Sequence, residues 1–110
     1  MINGNGSSNS NRYFLRCEVE PGMFIDELLA MFEGADPAAI DHPIKIQVLV
    51  DAELVNLKGQ KPSRGHPTTG QLVVEMIEKL HDWALIALPQ PGIPVGSTAV
   101  VRNDKLSPVA

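Results

Sequence analysis

One cysteine, Cys17, stands in 110 residues, so the chain cannot form a disulfide within itself, and a reducing compartment suits it. Aromatic residues are scarce: three Phe, one Tyr and one Trp, 5% of the chain. That is too few for an interleaved base-stacking platform. Positive charge is outnumbered, with 9 Lys and Arg against 13 Asp and Glu and a net charge of −4. A dominant nucleic-acid or anionic-membrane surface needs a local excess of cations, so neither is favoured. No apolar run approaches about 18 residues, and no basic segment followed by an apolar stretch opens the sequence. The expectation is a soluble, cytoplasmic protein with no membrane association. What is present is ordinary: 44% hydrophobic and 20% charged residues describe a single globular domain.

The first eleven residues, MINGNGSSNSN, carry too little apolar surface to offset the entropy of ordering them, and read as a flexible tail. A single β-rich domain is expected over 12–110. From Arg12 the chain alternates strictly. Tyr13, Leu15, Cys17 and Val19 share one face, and Phe14, Arg16, Glu18 and Glu20 the other. Period two with one charged face is a half-buried strand, which Pro21-Gly22 ends. Residues 44–50, IKIQVLV, alternate in the same way, with Ile44, Ile46, Val48 and Val50 on one side. Residues 97–106 read as a strand closed by Asn103-Asp104. Between these lie the loops 35–43 and 58–70, the second with three glycines and two prolines.

Two segments admit two readings. In MFIDELLAMFEG, residues 23–34, Phe24, Ile25, Leu28, Leu29 and Phe32 lie at helical spacing, yet the segment can equally return as the second strand of a hairpin. In QLVVEMIEKLHDWALIALPQP, residues 71–91, a helix over about 69–82 puts Gln71, Glu75, Glu78, Lys79 and Asp82 on one face. Extended past Asp82, that helix places Ile86 on its polar side. A hairpin covers the whole tract, turning near 79–82 and stopping at Pro89, which cannot donate to a ladder. It leaves Glu78 on the inward face and a turn without glycine.

The segments RCEVEPGMFIDE, IQVLVDAELV, LVVEMIEKLHDWALIALPQP and VGSTAVV, in that order, resemble small bacterial β-rich proteins with a GMF-x-x-E segment and a late V-x-LP segment. The resemblance implies a β fold and no particular activity. The fold expected is therefore all-β: a small six-stranded antiparallel barrel or two-layer sheet, SH3-like in size. The alternative is an α+β fold with helices near 23–34 and 69–82.

No residue set reaches the specificity of a catalytic or metal motif. His42, His66 and His81 stand in or beside loops without ligand spacing. Asp26, Glu27, Asp51 and Glu53 fall at expected strand ends, where carboxylates more commonly cap turns than serve as acid and base. The segment LPQPGIP, 88–94, reads as a rigid connection. Cys17, Tyr13 and Trp83 read as core. The sharpest candidate binding residues are Lys58, Lys61, Arg64 and His66, in a glycine-containing loop with no acid between Glu53 and Glu75. Backbone amides and cations of such a loop can hold an anion.

No cofactor or metal is expected. The favoured function is a non-enzymatic binding or accessory module that contacts a protein partner or a second copy of itself. Phe14, Ile25, Val73 and Ile77 are more apolar side chains than one small barrel interior can take. The alternative is a small-ligand, anion or nucleic-acid domain using the basic loop 58–66, with an enzymatic α+β version sited near Asp26 and His42.

Overall fold

The computed structural model describes residues 11–109. Eight strands follow one another: β1 (Arg12–Pro21), β2 (Glu27–Gly34), β3 (Ile44–Asp51), β4 (Val55–Leu57), β5 (Thr68–Leu80), β6 (Trp83–Gly92), β7 (Gly96–Arg102) and β8 (Leu106–Pro108). Single 3-10 turns lie at Ala52–Leu54 and Asn103–Lys105. The alternation of β1 and β3 becomes a buried row on each: Leu15, Cys17 and Val19 on one, Ile46, Val48 and Val50 on the other. Of the expected flexible tail, residues 1–10 lie outside the described residues. Asn11 accepts a hydrogen bond at its carbonyl from the Met76 N–H, 2.8 Å.

One antiparallel sheet contains all eight strands. The six longer ones run β3-β2-β1-β5-β6-β7, with β4 beside β5 and β8 beside β1. The central pair changes neighbours along its length. β1 pairs with β8 at residues 13–15 and with β2 at residues 18–21. β5 pairs with β4 at residues 70–72 and with β6 at residues 75–80. The sheet curls into a half-barrel. Two pairs of reciprocal backbone bonds tie its margins: Ala35 with Val100 at 2.8 and 2.9 Å, and Gln47 with Ile93 at 3.1 and 2.9 Å. Inside lie Leu15, Ile46, Leu72, Ile86, Val74 and Val101, all but inaccessible to solvent.

The helical alternative is overturned at both places. Residues 69–82 are extended in β5 and its turn, and β6 returns from Trp83. The period-two difficulty at Glu78 disappears because the ladder steps between Met76 and Glu78, leaving Ile77 without a partner. Such a bulge reverses which way the following residues point, and Glu78 faces solvent. The missing glycine is replaced by His81, which adopts φ 57° in the two-residue turn closing Leu80 onto Trp83. A two-residue hairpin needs positive φ at its first central position, which histidine tolerates better than bulkier residues. Asn103 braces this turn: its side-chain amide donates to the His81 carbonyl, and its N–H to the Asp82 carbonyl at 2.8 Å.

At 23–34 the helix is replaced by a turn, 22–26, and β2. Ala30, Met31 and Phe32 are buried in succession. A strand covered on both faces shows no alternation, and its apolar residues then imitate helical spacing.

Candidate functional site

Large apolar side chains stand in solvent on the turn between β1 and β2. Met23 is 80%, Phe24 74% and Ile25 98% exposed. The turn is not loose. The Gly22 N–H donates to the Glu27 carbonyl at 2.9 Å and the Glu27 N–H to the Phe24 carbonyl at 3.1 Å. The Met23 N–H donates to Glu27 Oε1 at 2.9 Å. The Ala52 N–H, from the 3-10 turn after β3, donates to the Asp26 carbonyl at 2.8 Å. Gly22 allows this closure because a Cβ there would lie 2.7 Å from Glu27 Cγ. Glu27 is thus spent on closing the turn, and its Cα partner across the ladder is Asp51. The four carboxylates singled out as a possible acid–base set gather at one end of the sheet, where Glu27 acts as a turn cap.

Beside the turn runs a groove of about 440 Å³, lined by Met23, Leu29, Leu49, Pro91 and Ile93, with Glu20, Gln47 and Arg64 among its polar residues. Leu29 and Leu49 face each other across β2 and β3 on the outer surface. The bonds between Gln47 and Ile93 hold Ile93, 69% exposed, against the β3 margin. Met23 belongs to both the turn and the groove. Phe24 and Ile25 do not line the groove of their own chain.

Arg64 is the member of the basic loop that reaches this surface. Lys58, Lys61, Arg64 and His66 are all exposed. Ser63 and His66 bond reciprocally across the loop tip at 3.3 and 2.8 Å, and the Lys58 N–H donates to the Thr69 carbonyl at 3.0 Å. Lys58, Lys61 and His66 do not line this groove. His42 and His81 are exposed at separate places. Among the described residues, no group of three or more His, Cys, Asp and Glu is placed to hold a metal ion. The segment 88–94, expected as a connection, carries the end of β6 and contributes Pro91 and Ile93 to the groove.

A second groove, of about 410 Å³, opens where β1 passes from β2 to β8, between Arg16, Glu18, Glu33, Lys45 and Lys105. Its charged lining is mixed, two acids and three cations. Trp83 is half-buried with the Arg102 guanidinium 5.5 Å above its ring, and Tyr13 packs against the core.

Cys17 lies in the interior and donates to the Gly70 carbonyl, 3.6 Å away. Burial pushes its thiol up from the ordinary 9.0 to about 12, outweighing the lowering by the Leu72 backbone. A thiol held protonated is no nucleophile. Alkylation by iodoacetamide at mildly alkaline pH is expected to proceed only as the chain unfolds, accelerating by orders of magnitude in denaturant; rapid labelling of the native protein would contradict this placement. The folded state holds the thiol proton more tightly than the unfolded chain. Its contribution to stability is therefore complete below pH 9.0 and is lost as the pH rises toward about 12.

Sequence reasoning picked out Ile25 as a surplus apolar residue and Arg64 as a binding candidate, but not their neighbourhood. The groove draws on residues 20–23, 29, 47, 49, 64, 91 and 93, and no local pattern joins positions so far apart. No helix among the described residues is long and apolar enough to cross a membrane. No protein-family model, curated protein or solved structure matches the chain.

Proposed function

We propose that the chain is a non-enzymatic binding module that docks a protein through the 22–26 turn and the groove beside it. The observation supporting this is the pairing of extreme exposure with fixed geometry. Met23, Phe24 and Ile25 project into water from a turn closed by backbone and Glu27 hydrogen bonds. Burying a side chain of this size is worth about 1.5–3 kcal/mol. A preformed turn also loses little conformational entropy on docking, so less of that free energy is offset by ordering.

A photoreactive phenylalanine analogue at position 24 is expected to give a discrete cross-linked adduct in living cells. The same analogue at position 18, on the outer face of β1, is expected to give none. Absence of an adduct from position 24, or equal labelling from both, would defeat the reading.

A second reading uses the exposure of Lys58, Lys61, Arg64 and His66 on one loop: contact with an anion or nucleic acid. Binding of a short single-stranded oligonucleotide would then weaken steeply with salt, because phosphate contacts release counterions. Changing Lys58, Lys61 and Arg64 together to glutamine would abolish it. Binding by that triple variant at wild-type strength would remove this reading.

A further inference from the structure

Resting on the docking reading above, we infer that the occupant of this face is a second copy of the chain, joined by a two-fold axis beside Met23. Both halves of a complementary contact are present on one molecule. Phe24 and Ile25 form a projection, and Leu29, Leu49, Pro91 and Ile93 line a hollow next to it. Met23, shared by both, places them side by side. Projection and hollow in adjoining positions can be exchanged reciprocally between two copies. That makes an interface which closes on itself instead of propagating into a fibre.

The charges fit the same operation. Glu20 and Arg64 both line the groove, and no ion pair joins them within the described chain. With opposite charges on one self-associating face, each Arg64 can pair with the partner's Glu20. Size agrees as well. At their exposures Met23, Phe24, Ile25 and Ile93 present on the order of 500 Å², against roughly 800 Å² per partner in a standard interface. The flanking Leu49, Pro91 and polar residues supply much of the remainder. A conventional anionic membrane fits this face less well, because Glu20, Asp26, Glu27, Asp51 and Glu53 gather about the turn.

The purified full chain is expected to elute, in size exclusion with light scattering across the micromolar range, at twice the 11.9 kDa of one chain. Phe24→Ser is expected to leave a monomer with an unchanged circular dichroism spectrum, since the side chain is already in solvent. Arg64→Glu and Glu20→Arg are each expected to weaken the dimer about tenfold or more through like-charge contact, and their combination to restore it. A monomer at every concentration, a dimer indifferent to Phe24→Ser, or a double variant as weak as the singles would each overturn the inference. A position-24 adduct in cells heavier or lighter than two chains, with a monomer in vitro, would overturn the second copy while leaving the docking reading standing. No adduct at all would overturn both.

Discussion

Leu72→Ala is expected to destabilise the fold by about 3–5 kcal/mol, the range for truncating a fully enclosed leucine. Leu72 has no solvent exposure and lies on β5, with Leu15 of β1 opposite on one side and Val55 of β4 on the other. Backbone hydrogen bonds hold both flanking strands, so the sheet cannot close on the hole left by the missing methyl groups. A domain of this size has a total stability of roughly 5–15 kcal/mol. The loss should lower the thermal midpoint by about 15 °C or more, or leave the variant partly unfolded at 37 °C. Urea unfolding of Leu72→Ala beside Ile77→Ala makes the comparison. Ile77 stands in the bulge, 53% exposed, and its truncation should change stability by only about 0.5 kcal/mol. Equal effects at the two positions would mean that the interior is not packed as described.

Gly34→Ala is expected to be strongly disruptive although it adds only one methyl group. A Cβ at Gly34 would lie 2.9 Å from the Val100 carbonyl oxygen, 3.0 Å from Ile46 Cδ1 and 3.2 Å from Val101 Cγ1. The nearest of these is backbone, and that same oxygen accepts the Ala35 N–H at 2.8 Å. Relief therefore means parting the margins of the half-barrel where Ala35 and Val100 hold them. Overpacking of this kind costs about 1–3 kcal/mol, and each weakened backbone bond adds about 0.5–1.5 kcal/mol. The signature is local as well as global. Amide hydrogen exchange at Ala35 and Val100 should accelerate relative to Leu15 and Leu72. A variant with wild-type stability and unchanged exchange at those two amides would show that the margins are not tied there.

How far the sequence anticipated this fold depended on whether a strand was covered on one face or two. Residues 12–20 and 44–50 each have one wet side, and their alternation predicts the strands and the buried row of each. β2 was obscured because Ala30, Met31 and Phe32 are all enclosed. The late tract was readable as a hairpin only against two local irregularities, the step at Ile77 and the positive φ of His81. Neither has a fixed residue signature. Lys58 to His66 stood out because cations in a loop without acids are visible in one dimension. The groove was invisible for the opposite reason: its walls come from β1, β2, β3, β6 and the 58–66 loop. Only Arg64 belongs to both views.

The change of neighbours along β1 and β5 bears on how the chain reaches this state. The central ladder joins residues 12–19 to 68–75, so the two halves of the middle of the sheet are made about fifty to sixty residues apart. Pairings so distant must close large loops before they gain anything, which places such topologies among the slower folders, in milliseconds to seconds. During synthesis β1, β2 and β3 can form a meander early, but one flank of β1 stays bare until β5 has left the ribosome. Arg12, Arg16, Glu18 and Glu20 ride on that waiting strand, and charge of both signs is a known deterrent to strand-to-strand aggregation. Such charges oppose mispairing of a bare strand flank before the half-barrel closes.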